Sequence, residues 1–399
     1  MRRYFSATLG NLLKHYDQAI YSCLIPFLAP LFFPHEDPVY SLLAAYALLP
    51  LGLISKPLGA YVFGLIGDKW GRKLSLSISL LGMGLSTGAI GCLPTFEEAG
   101  ALAPCLLSLL RLLQNFFSAG ETTGGALFLL EQTPKEKRGL TSSLFEASGM
   151  LGIVGAALGV AFLGKTYWRE LFWLGALSGA IGLLLRRKIV EAPAPSFSEK
   201  WTLSDWKAMI AIAAVSGFSY ANYYLLSTFL NGFLPLVSKV SLEEALSLQS
   251  LLLALDFFLL PFFGWLSLKI SKEKLVFTAV FLGAVLSYPL FLCLDGATVW
   301  IAGAVRIVFM VIGVLLAAPY HAWAMERAPE TKRFRISAMG SAIGGRLIGA
   351  PVPALSLWLY TQTGWIGSPA IPLIFSALLG GLALLYLKER PSAALATKS

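Results

Sequence analysis

Charge is scarce in this chain. Asp, Glu, Lys and Arg together form 13% of its 399 residues, against about 25% in ordinary soluble domains. A body wetted on every side needs more, so a soluble globular protein is excluded. Histidine occurs three times and cysteine four times. Cys23, Cys92, Cys105 and Cys293 lie in or beside apolar segments and lack metal-ligand spacing, so they read as small buried hydrophobes. Cys92 and Cys105 flank one loop, which leaves a disulfide open to them. No HExxH, GxSxG or Walker loop is present, so neither a hydrolase nor an ATP-driven pump is expected, and no metal or other cofactor. A cleavable leader is not expected either, because Lys14, His15 and Asp17 break the first apolar run.

Apolar sequence fills the space that charge leaves. Hydrophobic residues make up 56% of the chain, and the mean hydropathy is +0.71. Runs of about 20 residues, enough to cross a bilayer, recur near 7–33, 41–66, 74–94, 101–130, 139–163, 168–186, 206–235, 244–269, 274–294, 297–324, 334–361 and 364–387. These twelve spans predict an all-α membrane protein. Basic residues crowd alternate loops and both tails, while the opposite loops hold Lys165, Arg169 and Lys239 with the acids Glu36, Asp37, Glu97, Glu98, Glu243 and Glu244. The positive-inside rule therefore puts both termini in the cytoplasm of a multi-pass cell (inner) membrane protein. It also accounts for the net charge of +9 without nucleic acid; the lipid bilayer is the partner it implies.

The chain repeats itself at an offset of 195 residues. Arg111 maps to Arg306, Glu131 to Glu326, Pro134 to Pro329, Lys137 to Lys332 and Arg138 to Arg333. Ser142 and Gly149 continue it onto Ser337 and Gly344. A charged, Pro- and Ser-rich stretch after Arg186 divides the spans six and six. The predicted organisation is a six-helix bundle over 1–188, a cytoplasmic linker over 189–205 and a second bundle over 206–399. Two such halves are typical of secondary transporters, whose substrate lies between them near the midplane.

Between the second and third spans stands "GLIGDKWGRK", 64 to 73. Its glycines permit a tight turn and close helix approach. Asp68, the one acid there, suits the N-terminus of a neighbouring helix. Arg72 is within reach of Glu131 at the inner end of the fourth span. The stretch resembles the loop signature of the major facilitator superfamily. "GNLLKHYDQAIY" (10 to 21), "RLLQNFFSAGE" (111 to 121), "KEKRG" (135 to 139) and "YWRELF" (167 to 172) resemble its metabolite:proton symporter branch, which includes proline/glycine-betaine and α-ketoglutarate permeases. Lys14 stands where that branch usually has Glu, and Asn115 where it usually has Gly.

That resemblance implies twelve helices in two pseudo-symmetric bundles, with the first, fourth, seventh and tenth spans lining a cavity. It implies proton-coupled uptake of a small carboxylate-bearing metabolite or osmolyte by alternating access. Gating is expected from Gly64, Asp68, Gly71, Arg72, Glu131 and Arg138. Charges inside the spans are functional candidates, since each costs about 2.5–3.5 kcal/mol. Asp17, Lys56 and Glu121 share a depth about 15 Å from the inner ends of their spans. Asp17, Glu121 and Lys14 are the proton-coupling candidates. Lys14 and Asp17, three apart, are expected to meet on one face. The substrate candidates are Arg111, Gln114, Tyr16, Lys56 and the aromatic set Tyr220, Tyr223 and Tyr224; arginine forks match carboxylates, and aromatic faces attract quaternary ammonium. A monomer is expected. An uncoupled facilitator or exchanger is the alternative, motivated by Lys14. A non-transporting sensor is disfavoured by the short tails.

Overall fold

The computed structural model describes residues 2–36, 41, 44, 45, 48, 52–163, 166–187 and 200–388. Within them the chain is helical, with no strand. Eight helical segments are long and apolar enough to cross a membrane: Arg72–Gly91, Leu102–Leu130, Lys135–Leu163, Leu203–Val237, Leu242–Leu266, Lys272–Leu292, Val299–Arg327 and Glu330–Thr363. Helices also occupy the other four predicted spans: Arg2–Phe32, Gly52–Lys69, Trp168–Arg187 and Ala370–Lys388. Most of 41–51 and the linker up to 199 lie outside the described residues. Large apolar side chains face outward along the helices, among them Phe162 at 82% and Trp300 at 84% exposure. On this scale such a surface suits lipid rather than water.

Two spans are interrupted by π-turns. The seventh runs Leu203–Tyr224, the turn Leu225–Phe229, then Leu230–Val237. The eleventh runs Arg333–Ile343, the turn Gly344–Gly349, then Val352–Thr363. Each turn adds a residue to the hydrogen-bond ring and re-aims side chains at that level.

The chain forms two compact units. Unit 1 comprises 1–134, 144–199 and 329–339; unit 2 comprises 135–143, 200–328 and 340–399. The short segments 135–143 and 329–339 thus each cluster away from the chain on either side of them. They are the segments related by the internal repeat.

Unit 1 turns its polar residues inward. On the first span Asn11, Lys14 and Asp17 are buried; on the fourth, Arg111, Gln114, Asn115, Ser118 and Glu121 are. Ile20, Leu24, Leu28, Leu107 and Phe172 belong to an apolar core in the same unit. All four cysteines are free thiols, and Cys92, Cys105 and Cys293 are exposed. The loop disulfide left open to Cys92 and Cys105 is not formed, and three of the four cysteines are not the buried hydrophobes anticipated for them.

Candidate transport and gating sites

In unit 1, the chain turns at Gly71, whose φ of 103° lies where a side chain is strained, and Arg72 starts the next helix. Asp68 is 1% exposed. Its Oδ1 accepts from Arg72 Nη1 at 2.6 Å and from the Phe334 N–H at 3.1 Å. Its Oδ2 accepts from the Arg335 N–H at 3.1 Å and from Arg335 Nε at 3.2 Å. The two backbone donors belong to the first turn of Arg333–Ile343, where helical N–H groups lack intrahelical partners, and the helix dipole there favours a negative charge. Arg72 also forks onto Glu131, at 3.0 and 3.4 Å. Arg333 stands 3.9 Å from the same carboxylate.

Glycine makes the approach possible. A Cβ on Gly64 would lie 2.7 Å from the Arg335 Cα, and one on Gly67 would lie 2.1 Å from the Phe334 ring. That ring also carries the Arg72 guanidinium, 5.2 Å from its centroid. Five of the six gating candidates therefore meet. The sixth, Arg138, lies in unit 2, 3.7 Å from Glu326, which also binds Lys272 at 3.1 Å. Arg333–Glu131 and Arg138–Glu326 are thus the same pair written twice by the repeat. Beside the second copy, Gly139 and Gly264 lie against Ser267 and Ser143, and with Gly264 aligned on Gly64, Leu268 takes the place of Asp68.

Deeper in unit 1 a polar chain links three spans, the first, third and fourth. Asp17 is fully buried. Its Oδ2 accepts from the Thr87 hydroxyl at 3.4 Å; its Oδ1 has no hydrogen-bond partner among the described residues and faces Gly175, where a Cβ would approach to 2.4 Å. Gln114 Nε2 donates to Thr87 Oγ1 at 2.7 Å and to the Asp17 carbonyl at 3.3 Å. Gln114 Oε1 accepts from Arg111 Nη1, whose guanidinium lies 4.0 Å over the Tyr21 ring. The arginine fork is thereby oriented by a glutamine and an aromatic face.

Lys14 is 3% exposed, and the charges acting on it are Glu146 and Glu121. No ion pair joins it to Asp17, although the two are three residues apart on one helix. The Asp17 carboxylate turns to the third and sixth spans, and Lys14 to the fourth and fifth. Lys56 lies within electrostatic reach of His15, whose Nδ1 meets the Asn11 carbonyl at 2.9 Å. The Tyr16 hydroxyl donates to the Leu171 carbonyl at 3.3 Å, so its polar end is occupied by the sixth span.

In unit 2, Tyr220 and Tyr224 stack with centroids 6.1 Å apart, and Tyr223 meets Tyr224 edge-on at 5.7 Å. Arg306, the repeat partner of Arg111, is fully buried. It donates to the Ala245 carbonyl at 2.8 Å, the Leu226 carbonyl at 3.2 Å, Asn231 Oδ1 at 2.8 Å and Gln249 Oε1. It ties the seventh, eighth and tenth spans together through neutral acceptors. The repeat pointed to Arg306 but not to that role, because its acceptors, two of them main-chain carbonyls, are brought to it by folding.

Among the described residues no cluster of metal-ligating side chains occurs. The Major Facilitator Superfamily profile matches residues 8–352. The chain belongs to the major facilitator superfamily. It is 29% identical over 416 residues to the glycine betaine/proline/ectoine/pipecolic acid transporter OusA of Dickeya dadantii, covering 96% of this chain and 82% of that one. It is 26% identical over 415 residues to the proline/betaine transporter of Escherichia coli K12, with 96% and 82% covered. Among solved structures it resembles the proton:xylose symporter XylE, with a TM-score of 0.73, 14% identity and 97% and 95% of the chains covered. It also resembles the human organic anion transporter MFSD10, with a TM-score of 0.67 at 15% identity, covering 96% and 98%. The fold is the all-α, twelve-helix fold of this superfamily. The protein is a transporter and not an enzyme.

Proposed function

We propose that the protein is a secondary active transporter that couples proton entry to uptake of a small carboxylate-bearing metabolite or osmolyte across the inner membrane. What carries the reading is its similarity, over 96% of the chain, to transporters of proline and betaine. The six-span halves, 1–188 and 206–399, move about a site that each face of the membrane reaches in turn, with 189–205 as the cytoplasmic linker. Both termini are cytoplasmic, and the protein works as a monomer.

Arg111, held by Gln114 over Tyr21, is the carboxylate-recognising group of the first half. An arginine fork gives two parallel hydrogen bonds to a carboxylate. Tyr16, Lys56 and the tyrosines of the seventh span complete the substrate set. Asp17 is the leading proton carrier, supported by its full burial and its unpartnered Oδ1. Glu121, also fully buried, is the second carboxylate of the coupling path, and Lys14 its internal counter-ion. Gating falls to the Asp68 hub. Asp68 anchors the start of the eleventh span, and opening the cytoplasmic side requires that its hydrogen bonds break.

Uptake into proteoliposomes from labelled proline, glycine betaine and a dicarboxylate, with acid outside, tests the reading. Accumulation of one of them above equilibrium, abolished by a protonophore, is expected. The second reading is an uncoupled facilitator or exchanger. Lys14 favours it, because a lysine acted on by Glu121 and Glu146 neutralises charge that a proton otherwise supplies. Under that reading the unmodified protein equilibrates its substrate and ignores the pH gradient.

A further inference from the structure

Thr87, on the helix Arg72–Gly91, has no part in the reading above, yet it holds a fully buried carboxylate. Among the described residues the Asp17 side chain accepts only from the Thr87 hydroxyl and forms no ion pair. The third and sixth spans bring Thr87 and Gly175 to it, and neither titrates. The fourth span carries Arg111, which meets Gln114 instead, and Glu121, about two turns further along. Its own helix carries Lys14, His15 and Tyr16, of which Tyr16 lies within its electrostatic reach.

The chain from Arg111 to Asp17 has one polarity, and the chemistry of its members forces it. Arginine only donates, so the Gln114 atom facing Arg111 Nη1 is its oxygen. The Gln114 nitrogen has two hydrogens, and both are placed: one on Thr87 Oγ1 at 2.7 Å, the other on the Asp17 carbonyl at 3.3 Å. Thr87 accepts from Gln114, which leaves its single hydrogen for Asp17 Oδ2 at 3.4 Å. Every donor therefore points toward the carboxylate. Thr87 and Gln114 are both buried, and in such surroundings hydrogen bonds in a chain polarise one another. A proton on Asp17 has a place that leaves the chain intact, the Oδ1 that faces Gly175.

We propose that Thr87 and Gln114 are the positioning residues that link the two binding events: through them, a proton on Asp17 Oδ1 releases Arg111 to a substrate carboxylate. With Asp17 ionised, its charge aligns the Thr87 and Gln114 dipoles and makes Gln114 Oε1 a strong acceptor, which holds Arg111. A proton taken from the acid side onto Oδ1 neutralises the carboxyl group. Oδ2 then draws less on Thr87, the dipoles relax, and Arg111 exchanges Gln114 for the substrate. The reverse sequence returns the proton to the opposite side. Linkage makes the effect reciprocal: the proton tightens substrate binding by the same factor by which substrate tightens proton binding. This rests on the proton-coupled reading and supplies its route between Asp17 and Arg111.

Affinity for proline, glycine betaine and succinate is measured by calorimetry on the full chain in nanodiscs, in acid and in alkaline buffer. The unmodified protein is expected to bind one of the three at least about fivefold more tightly in acid. Thr87→Val keeps the shape of the side chain without its hydroxyl and should bring that factor to about two or less. Thr87→Ser supplies the hydroxyl again and should restore the factor. Gln114→Met cuts the chain at its other joint, serves where Thr87→Val folds poorly, and should flatten the pH dependence as well. Asp17→Asn should do the same, and adding Thr87→Val to it should change nothing further, since members of one network are not additive. A pH dependence that survives both Thr87→Val and Gln114→Met overturns the relay and leaves proton coupling standing, carried by the charges alone. A factor lost in Thr87→Ser as fully as in Thr87→Val also overturns it, because packing and not the hydroxyl is then what matters. No binding of any of the three, or unmodified binding indifferent to pH, overturns the coupled reading and the relay with it.

Discussion

Asp17 and Arg111 belong to one hydrogen-bonded chain, yet they call for different measurements. Asp17→Asn keeps the shape and the Thr87 contact but removes the proton site. Gradient-driven accumulation should fall to equilibrium while substrate exchange across the membrane persists, since exchange needs no net proton movement. Loss of both would mean that Asp17 supports the fold instead. Arg111 and Arg306 are repeat equivalents with unlike surroundings. Arg111 meets the Gln114 side chain and an aromatic face; Arg306 has four acceptors from two neighbouring spans. A lysine cannot reach four acceptors in a fixed plane. Arg306→Lys should therefore cost about 3 kcal/mol of stability, as two charged hydrogen bonds are lost, visible as a lower melting temperature in detergent. Arg111→Lys should melt near the unmodified protein and transport poorly. Equal melting and equal transport loss in the two variants would contradict this division of roles.

At the scale of elements, the eleventh span begins on a carboxylate supplied by a distant loop. Asp68 satisfies two first-turn donors and two arginines at once, 267 positions from Arg335 along the chain. Taking one partner out of such a buried ionic cluster typically costs about 3–5 kcal/mol, because the remaining charges stay buried. If this cluster is formed in only one conformation of the transport cycle, that cost falls on one state and shifts the equilibrium between states. Asp68→Asn should insert and fold normally but turn over more slowly. Gly67→Val should reproduce the effect without touching a charge, by expelling the Phe334 ring from its seat. Turnover at the unmodified rate in both variants, at equal expression, would remove the hub from the gating cycle. The corresponding junction in unit 2, built on Gly139, Gly264 and the Arg138–Glu326–Lys272 cluster, has no central acid, so it should tolerate substitution at Ser267 better than the first tolerates change at Asp68.

For the whole molecule, the proposed orientation rests on the distribution of basic residues, and three native thiols test it. Cys92, Cys105 and Cys293 are exposed, and each sits at the end of a span that the positive-inside reading turns away from the cytoplasm. A membrane-impermeant maleimide added to intact cells should label the protein. Changing all three to serine, keeping Cys23, should abolish that labelling. Labelling seen only after the cells are opened would invert the topology and place both termini outside.

Span number and the internal repeat were legible in the sequence because they depend on local quantities: apolar length and a constant offset. The Asp68 loop was legible as well, since glycine spacing and a lone acid announce a close approach to a helix start. Which helix start it meets was decided by tertiary structure. So was the pairing of Arg138 with Glu326, because short segments 135–143 and 329–339 pack away from their neighbours in sequence. Helical spacing put Lys14 and Asp17 on one face, but a shared face does not choose partners. Three surrounding spans offered Thr87 and Gln114 to one residue and Glu121 and Glu146 to the other. The π-turns at Leu225–Phe229 and Gly344–Gly349 leave no mark in hydrophobic periodicity. They arise from packing between spans, which no linear pattern contains.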